Sequence, residues 1–171
     1  MTHEIVAFDV ETTGMSPSRG HRIIEIGAVR IIGGELREEF HSLIDCGESV
    51  SIAAQRIHGI TKAMLHGQPQ PVEVYSRFRA FIGKATLAAH NARFDLSFLR
   101  NEFSRLGWPL PNRTLCTLGA CRRHLHALPD YRLETVARRL LGPLPPGSHL
   151  HRALEDARLV ARVWGALREG G

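Results

Sequence analysis

Two acidic residues, Asp9 and Glu11, stand two positions apart in the run IVAFDVETTG (residues 5–14). The run is apolar and β-branched and reads as a buried strand. Strand side chains alternate between faces, so Asp9 and Glu11 project together while Val10 points away. Neighbouring carboxylates repel and lose hydration on burial, a costly arrangement unless a cation lies between them. Hard divalent ions take oxygen ligands of this kind. The alternative is a solvated strand end followed by an ordinary turn at Thr12, Thr13 and Gly14.

Two more acids occupy unexpected positions. Asp95 lies in AAHNARFDLSFL (88–99), in the first turn of an expected helix, where the helix dipole alone would favour an acid. Phe98 and Leu99, three and four residues on, nevertheless put it beside an apolar stripe. Asp156 aligns on its helix with Ala153, Val160, Val163 and Leu167, all apolar. A carboxylate there needs a partner: an arginine, or a metal ion shared with Asp9 and Glu11. His151 precedes Asp156 by five residues, about 140° around a helix, so the two share no helical face. If both act at one site, His151 reaches in from the loop before the helix, as a residue type suited to taking a proton from water. Taken alone, it reads as a surface histidine.

The elements that must bring these residues together can be read from pattern. Residues 4–11, 22–32 and 36–45 form an expected three-stranded antiparallel meander, with the tight turn at Gly33 and Gly34. Residues 46–70 read as irregular, with short helical stretches around Ala53–Arg56. The pattern predicts a helix over Val72–Ile82, opened by Pro71 and closed by Gly83. A short strand over Thr86–His90 and a helix over Phe94–Leu106 follow, the helix stopping at Gly107. Leu115–Thr117 reads as a short strand running into a helix through Leu125. Leu133–Leu141 is helical, 142–148 (GPLPPGS) is a loop, and Ala153–Arg168 is a helix. A β-rich beginning followed by alternating helices and strands argues a mixed α/β sheet flanked by helices.

The 171 residues fit a single domain, 1–171. No apolar stretch reaches transmembrane length, and the chain enters its first strand at once, so neither a membrane partner nor a signal peptide is expected. Three cysteines without a CxxC pair fit reduced thiols and a cytoplasmic location. The net charge is +5, and all basic residues but Lys62 and Lys84 are arginine, which suits phosphate and stacked bases.

FDVETTG with Asp9 and Glu11, HNARFD with Asp95, and HRALEDA with His151 and Asp156 together resemble the three exonuclease motifs of the DEDDh, or DnaQ-like, 3′→5′ exonucleases. The family includes the exonuclease domain of the bacterial polymerase III proofreading subunit. RIIEIGAV, IHGIT (57–61) and YRLETVARRLLG (131–142) add to the likeness, which runs from about Ile5 to Trp164. The resemblance implies an RNase H-like fold with a five-stranded mixed sheet flanked by helices. It implies two Mg²⁺ or Mn²⁺ ions held by Asp9, Glu11, Asp95 and Asp156, with Asp9 bridging them and His151 as general base. It implies release of 5′-nucleoside monophosphates from single-stranded DNA ends in proofreading or repair. The partners would be 3′ ends of nucleic acid and a DNA polymerase subunit.

By the same resemblance, Thr12, Thr13 and Gly14 lie along the terminal nucleotide, Met15 wedges against the last base, and His58 and Asn91 approach the nucleotide or its phosphate. As residue types these equally fit a turn, a gap-filler and loop packing. Glu25, inside the second strand, reads either as an acid near the metals or as an arginine partner. The histidine pairs 124/126 and 149/151 lack the companions a zinc site needs. Two other readings remain: an RNA-trimming exoribonuclease of the same fold, distinguished by contacts to the 2′-OH, and a catalytically silent nucleic-acid-binding or polymerase-docking domain. The chain shows no polymerase-docking tail after its last helix, so a free-standing enzyme and a polymerase subunit both fit.

Overall fold

The computed structural model describes residues 4–144 and 151–169. Its centre is one five-stranded sheet of β1 (Glu4–Thr12), β2 (Ile23–Ile32), β3 (Glu35–Leu43), β4 (Thr86–Ala89) and β5 (Thr114–Cys116), in the spatial order β3-β2-β1-β4-β5. The first three form the expected antiparallel meander, and β4 and β5 run parallel to β1. The helices are α1 (Ile52–His58), α2 (Lys62–Leu65), α3 (Pro71–Ile82), α4 (Ala92–Arg105), α5 (Thr117–His124), α6 (Leu133–Leu141) and α7 (Ala153–Glu169).

The alternation of β1 divides the core in two. Val6, Phe8 and Val10 face one side, where Val74, Tyr75 and Phe78 of α3 and Leu96, Leu99 and Phe103 of α4 cover them. Ile5 and Ala7 face the other, against Ala157, Val160 and Ala161 of α7. Burying one such large side chain contributes roughly 1.5–3 kcal/mol, so these layers fix which way β1 faces. Asp9 and Glu11 continue the Ile5–Ala7 row and therefore point toward α7.

Some boundaries differ from the sequence expectation. β4 ends at Ala89 because the ring of His90 turns out of the strand to Thr117 Oγ1 (2.9 Å) and the Tyr131 carbonyl (2.7 Å). α4 starts two residues early, at Ala92, after Asn91 adopts a left-handed conformation (φ 64°). A 3-10 turn at Pro17–Arg19 and the short α2 had no sequence signal strong enough to place them. Most of the expected 142–148 loop lies outside the described residues, as does His149 of the second histidine pair.

Candidate active site

Three elements converge at the end of β1. β1 supplies Asp9 and Glu11, the first turn of α4 supplies Asp95, the first turn of α7 supplies Asp156, and the segment just before α7 supplies His151. Asp95 is 3% exposed and Asp156 7% exposed. The backbone amides of Asp95 itself and of Val10 favour the charged Asp95 carboxyl and partly offset the effect of its burial. One ligand atom each from Glu11, His151 and Asp156 lie within 4.8 Å of one another. His151 is exposed and lies two residues before α7, reaching the acids from outside the helix.

The electrostatics are those of an unneutralised acid cluster. Burial, then the charges of Asp95, Asp156, Glu11 and Glu25, push the Asp9 carboxyl far above its ordinary range. Burial, then Asp156, Glu25 and Asp95, raise Glu11 to about 8. Burial raises Asp95 as well, with Asp156 adding to it. Asp156 is raised to about 6, mainly by burial, against the pull of the His151 amide. Its Oδ2 accepts that amide at 3.0 Å, while Oδ1 is buried with no hydrogen-bond partner. The sequence left open an arginine partner for Asp156, and among the described residues none bonds it. An orphaned buried carboxylate oxygen beside three more acids fits a divalent cation on chemical grounds.

Glu25 behaves differently. It is fully buried opposite Glu11 in the β1–β2 ladder. Burial alone would raise it, yet hydrogen bonds from His41, Arg152 and the Ala153 amide hold it at about 2. Of the two readings open from sequence, Glu25 is an arginine partner.

The other proposed contacts fall in two groups. Thr12, Gly14, Met15 and His58 line a cavity of about 210 Å³ together with Glu11, and Met15 is 75% exposed there. The turn is held from within: Thr12 Oγ1 donates to the Gly14 carbonyl (2.7 Å). A side chain on Gly14 would meet the His21 ring at 2.5 Å. His58 Nδ1 accepts from the Ile60 amide (3.0 Å), so its Nε2–H donates to the Thr12 carbonyl (3.2 Å). The ring is a neutral wall with both nitrogens engaged, and burial lowers its pKa. Thr13 does not line this cavity. It is buried, and its hydroxyl accepts from the Arg22 amide (3.0 Å). Asn91 is exposed at the start of α4 and lines neither this cavity nor the one beside Asp156.

Residues not anticipated from sequence complete the walls. Phe94 joins the first cavity. A second, of about 550 Å³, contains Asp156 and His151 and is closed by Arg132 and Leu133 at the start of α6. Ile57, 56% exposed, borders both and forms the ridge between them. His151 holds a left-handed backbone (φ 65°), which costs a non-glycine residue about 1–3 kcal/mol and persists only where surrounding contacts enforce it.

Comparison with known proteins agrees with this architecture. An exonuclease family model matches residues 6–164. The chain is 40% identical over 163 residues to the PolC-type DNA polymerase III of Thermotoga maritima, covering 93% of this chain and 11% of that one. It thus spans about a tenth of the length of the PolC-type relatives it matches. It is 36% identical over 172 residues to the DNA polymerase III subunit epsilon of Rickettsia prowazekii, covering 96% of this chain and 74% of that one. Among solved structures, exonuclease X in complex with 5′-overhanging duplex DNA superposes with a TM-score of 0.77 at 27% identity, covering 98% of this chain and 92% of that one. The five-stranded mixed sheet with flanking helices is the RNase H-like fold. The chain belongs to the exonuclease family, the DnaQ-like exonucleases that its motifs resemble.

Proposed function

We infer that this chain is a metal-dependent 3′→5′ exonuclease that removes 5′-nucleoside monophosphates from single-stranded DNA ends. The observation that carries this reading is the convergence of half-buried Asp9 with buried Glu11, Asp95 and Asp156, mutually repelling, with the Asp156 Oδ1 atom unpartnered. The four carboxyls would hold two divalent cations, Mg²⁺ or Mn²⁺. Bound there, such ions supply an activated hydroxide and neutralise charge on the leaving oxygen.

The chain's own residues do the rest. His151, within reach of Glu11 and Asp156, takes the proton of the attacking water. Met15, Ile57 and Phe94 offer the apolar walls on which a terminal base stacks once it leaves its duplex. His58, neutral and doubly hydrogen-bonded, keeps the Thr12–Gly14 turn in place behind that base. Arg132, exposed on the wall opposite Asp156, is placed to pair with a backbone phosphate. The polymerase III relatives support a proofreading role and a DNA polymerase as partner.

The test is digestion of 5′-labelled and 3′-labelled oligonucleotides, DNA and RNA, in Mn²⁺ or EDTA. Stepwise shortening of the 5′-labelled DNA strand, blocked by EDTA, is expected. Faster loss of RNA would reassign the chain to RNA trimming. No mononucleotide release from any strand would leave a binding domain.

A further inference from the structure

Glu25 is the one acid in the cluster whose charge is fully used by the protein. Its Oε1 accepts from His41 Nε2 (2.8 Å) and from Arg152 (2.7 and 3.1 Å). Its Oε2 accepts from the Ala153 amide (3.1 Å) and from Arg152 Nε (3.2 Å). Both oxygens are committed, so Glu25 has little left to offer a cation. Two residues along the same face of β2, Gly27 leaves room for the start of α7: a side chain there would lie 2.2 Å from the Leu154 nitrogen. Glu25 thus seats the first turn of α7 on the strand that neighbours β1.

His151 sits immediately before this seat. Its amide is held by Asp156, and the next residue, Arg152, is held by Glu25. Among the described residues, the bond from its amide to Asp156 is the hydrogen bond that holds His151, whose backbone is left-handed and whose side chain is exposed. We propose that Glu25, acting through Arg152 and the Ala153 amide, is the positioning residue that aims His151 at the acid cluster. This rests on the reading of His151 as the general base given above.

The experiment measures single-turnover rates on a 5′-labelled single strand in Mn²⁺. The proteins are wild type, Glu25→Gln, Arg152→Ala, Arg152→Lys, His151→Ala and the Glu25→Gln/His151→Ala double variant. Glutamine keeps the size but has only one acceptor oxygen for the three donors. Glu25→Gln is expected to lower the rate about 10–100-fold, the usual cost of removing a supporting hydrogen-bond partner. The oligonucleotide KM and the Mn²⁺ half-saturation should stay within about twofold. In the His151→Ala background, adding Glu25→Gln should cost less than about twofold, because the residue it acts through is gone. Arg152→Lys should fall between wild type and Arg152→Ala. Equal losses in both backgrounds would overturn the proposal, since a general effect on the fold or the metals is additive. Full activity of Arg152→Ala would overturn it as well, and that variant decides the matter if Glu25→Gln does not fold.

If the wild type releases no nucleotide, the nuclease reading has failed, and amide exchange still tests the anchor. Exchange at residues 151–155 should quicken in Glu25→Gln while β2 is unchanged. Equal exchange in both proteins would overturn the anchor too.

Discussion

Asp156→Asn should stabilise the metal-free protein while abolishing its nuclease activity. The carboxyl titrates near 6 in the folded chain against an ordinary value of 3.8. The folded state therefore binds this proton more tightly than the unfolded state does. Below pH 4 both states carry it and the difference vanishes. As pH rises from 4 to 6 the unfolded chain ionises freely and the folded chain resists, so stability falls; above 6 the deficit is complete. At 1.36 kcal/mol for each pH unit of difference, the full deficit is about 3 kcal/mol, and local water penetration reduces it to about 1–3 kcal/mol. Asparagine removes that charge, keeps an oxygen for the His151 amide, and sets a donor where Oδ1 now has no partner. A chain of this size gains about 2–4 °C in Tm per kcal/mol, so the variant should melt about 2–12 °C higher at pH 8 in EDTA and match wild type near pH 4. Saturating Mn²⁺ should reverse the order, because only the wild type gains binding free energy from the folded state. Thermal melts across pH, with and without metal, read all of this. A variant less stable than wild type at pH 8 in EDTA would refute the reasoning, because Asp156 would then be serving a protein partner. So would a wild-type Tm indifferent to Mn²⁺.

Other substitutions probe other parts of the cleft. His151→Ala should lower kcat by about 10²–10⁴-fold and leave Mn²⁺ affinity and KM within about twofold, measured by steady-state digestion and metal titration. Arg132→Ala should raise KM and reduce the slope of log affinity against log salt by about one phosphate contact; an unchanged slope would remove Arg132 from the strand's path. Gly27→Ala drives a methyl group into the Leu154 backbone and should cost about 1–3 kcal/mol along with much of the activity, seen as a lower Tm and slower turnover in the same preparation.

The clustered acids were legible in the sequence because each is local in its signal. Asp9 and Glu11 share a face through strand alternation, and Asp156 interrupts an apolar helical stripe whose members Ala153, Val160 and Val163 are buried. His151 was rightly kept off that helix face by the helical angle alone. Glu25 could not be resolved, because its partner Arg152 lies 127 residues away and no local pattern encodes that meeting. Ile57, Phe94 and Arg132 were missed for a related reason: a cavity wall belongs to the packing of several elements, and none of the three is unusual in its own segment. Thr13 looked equivalent to Thr12, but the register shift in β1 between Glu11 and Thr12 and the bond to Arg22 turn it inward.

The proposed centre draws on residues from 9 to 156, and α7 carries one of its four acids and seats the histidine beside them. A ribosome translating this chain has made the strand acids and Asp95 long before that helix emerges. On the proposed reading the nascent protein would be inactive: with α7 still in the exit tunnel, the emerging domain lacks both Asp156 and His151.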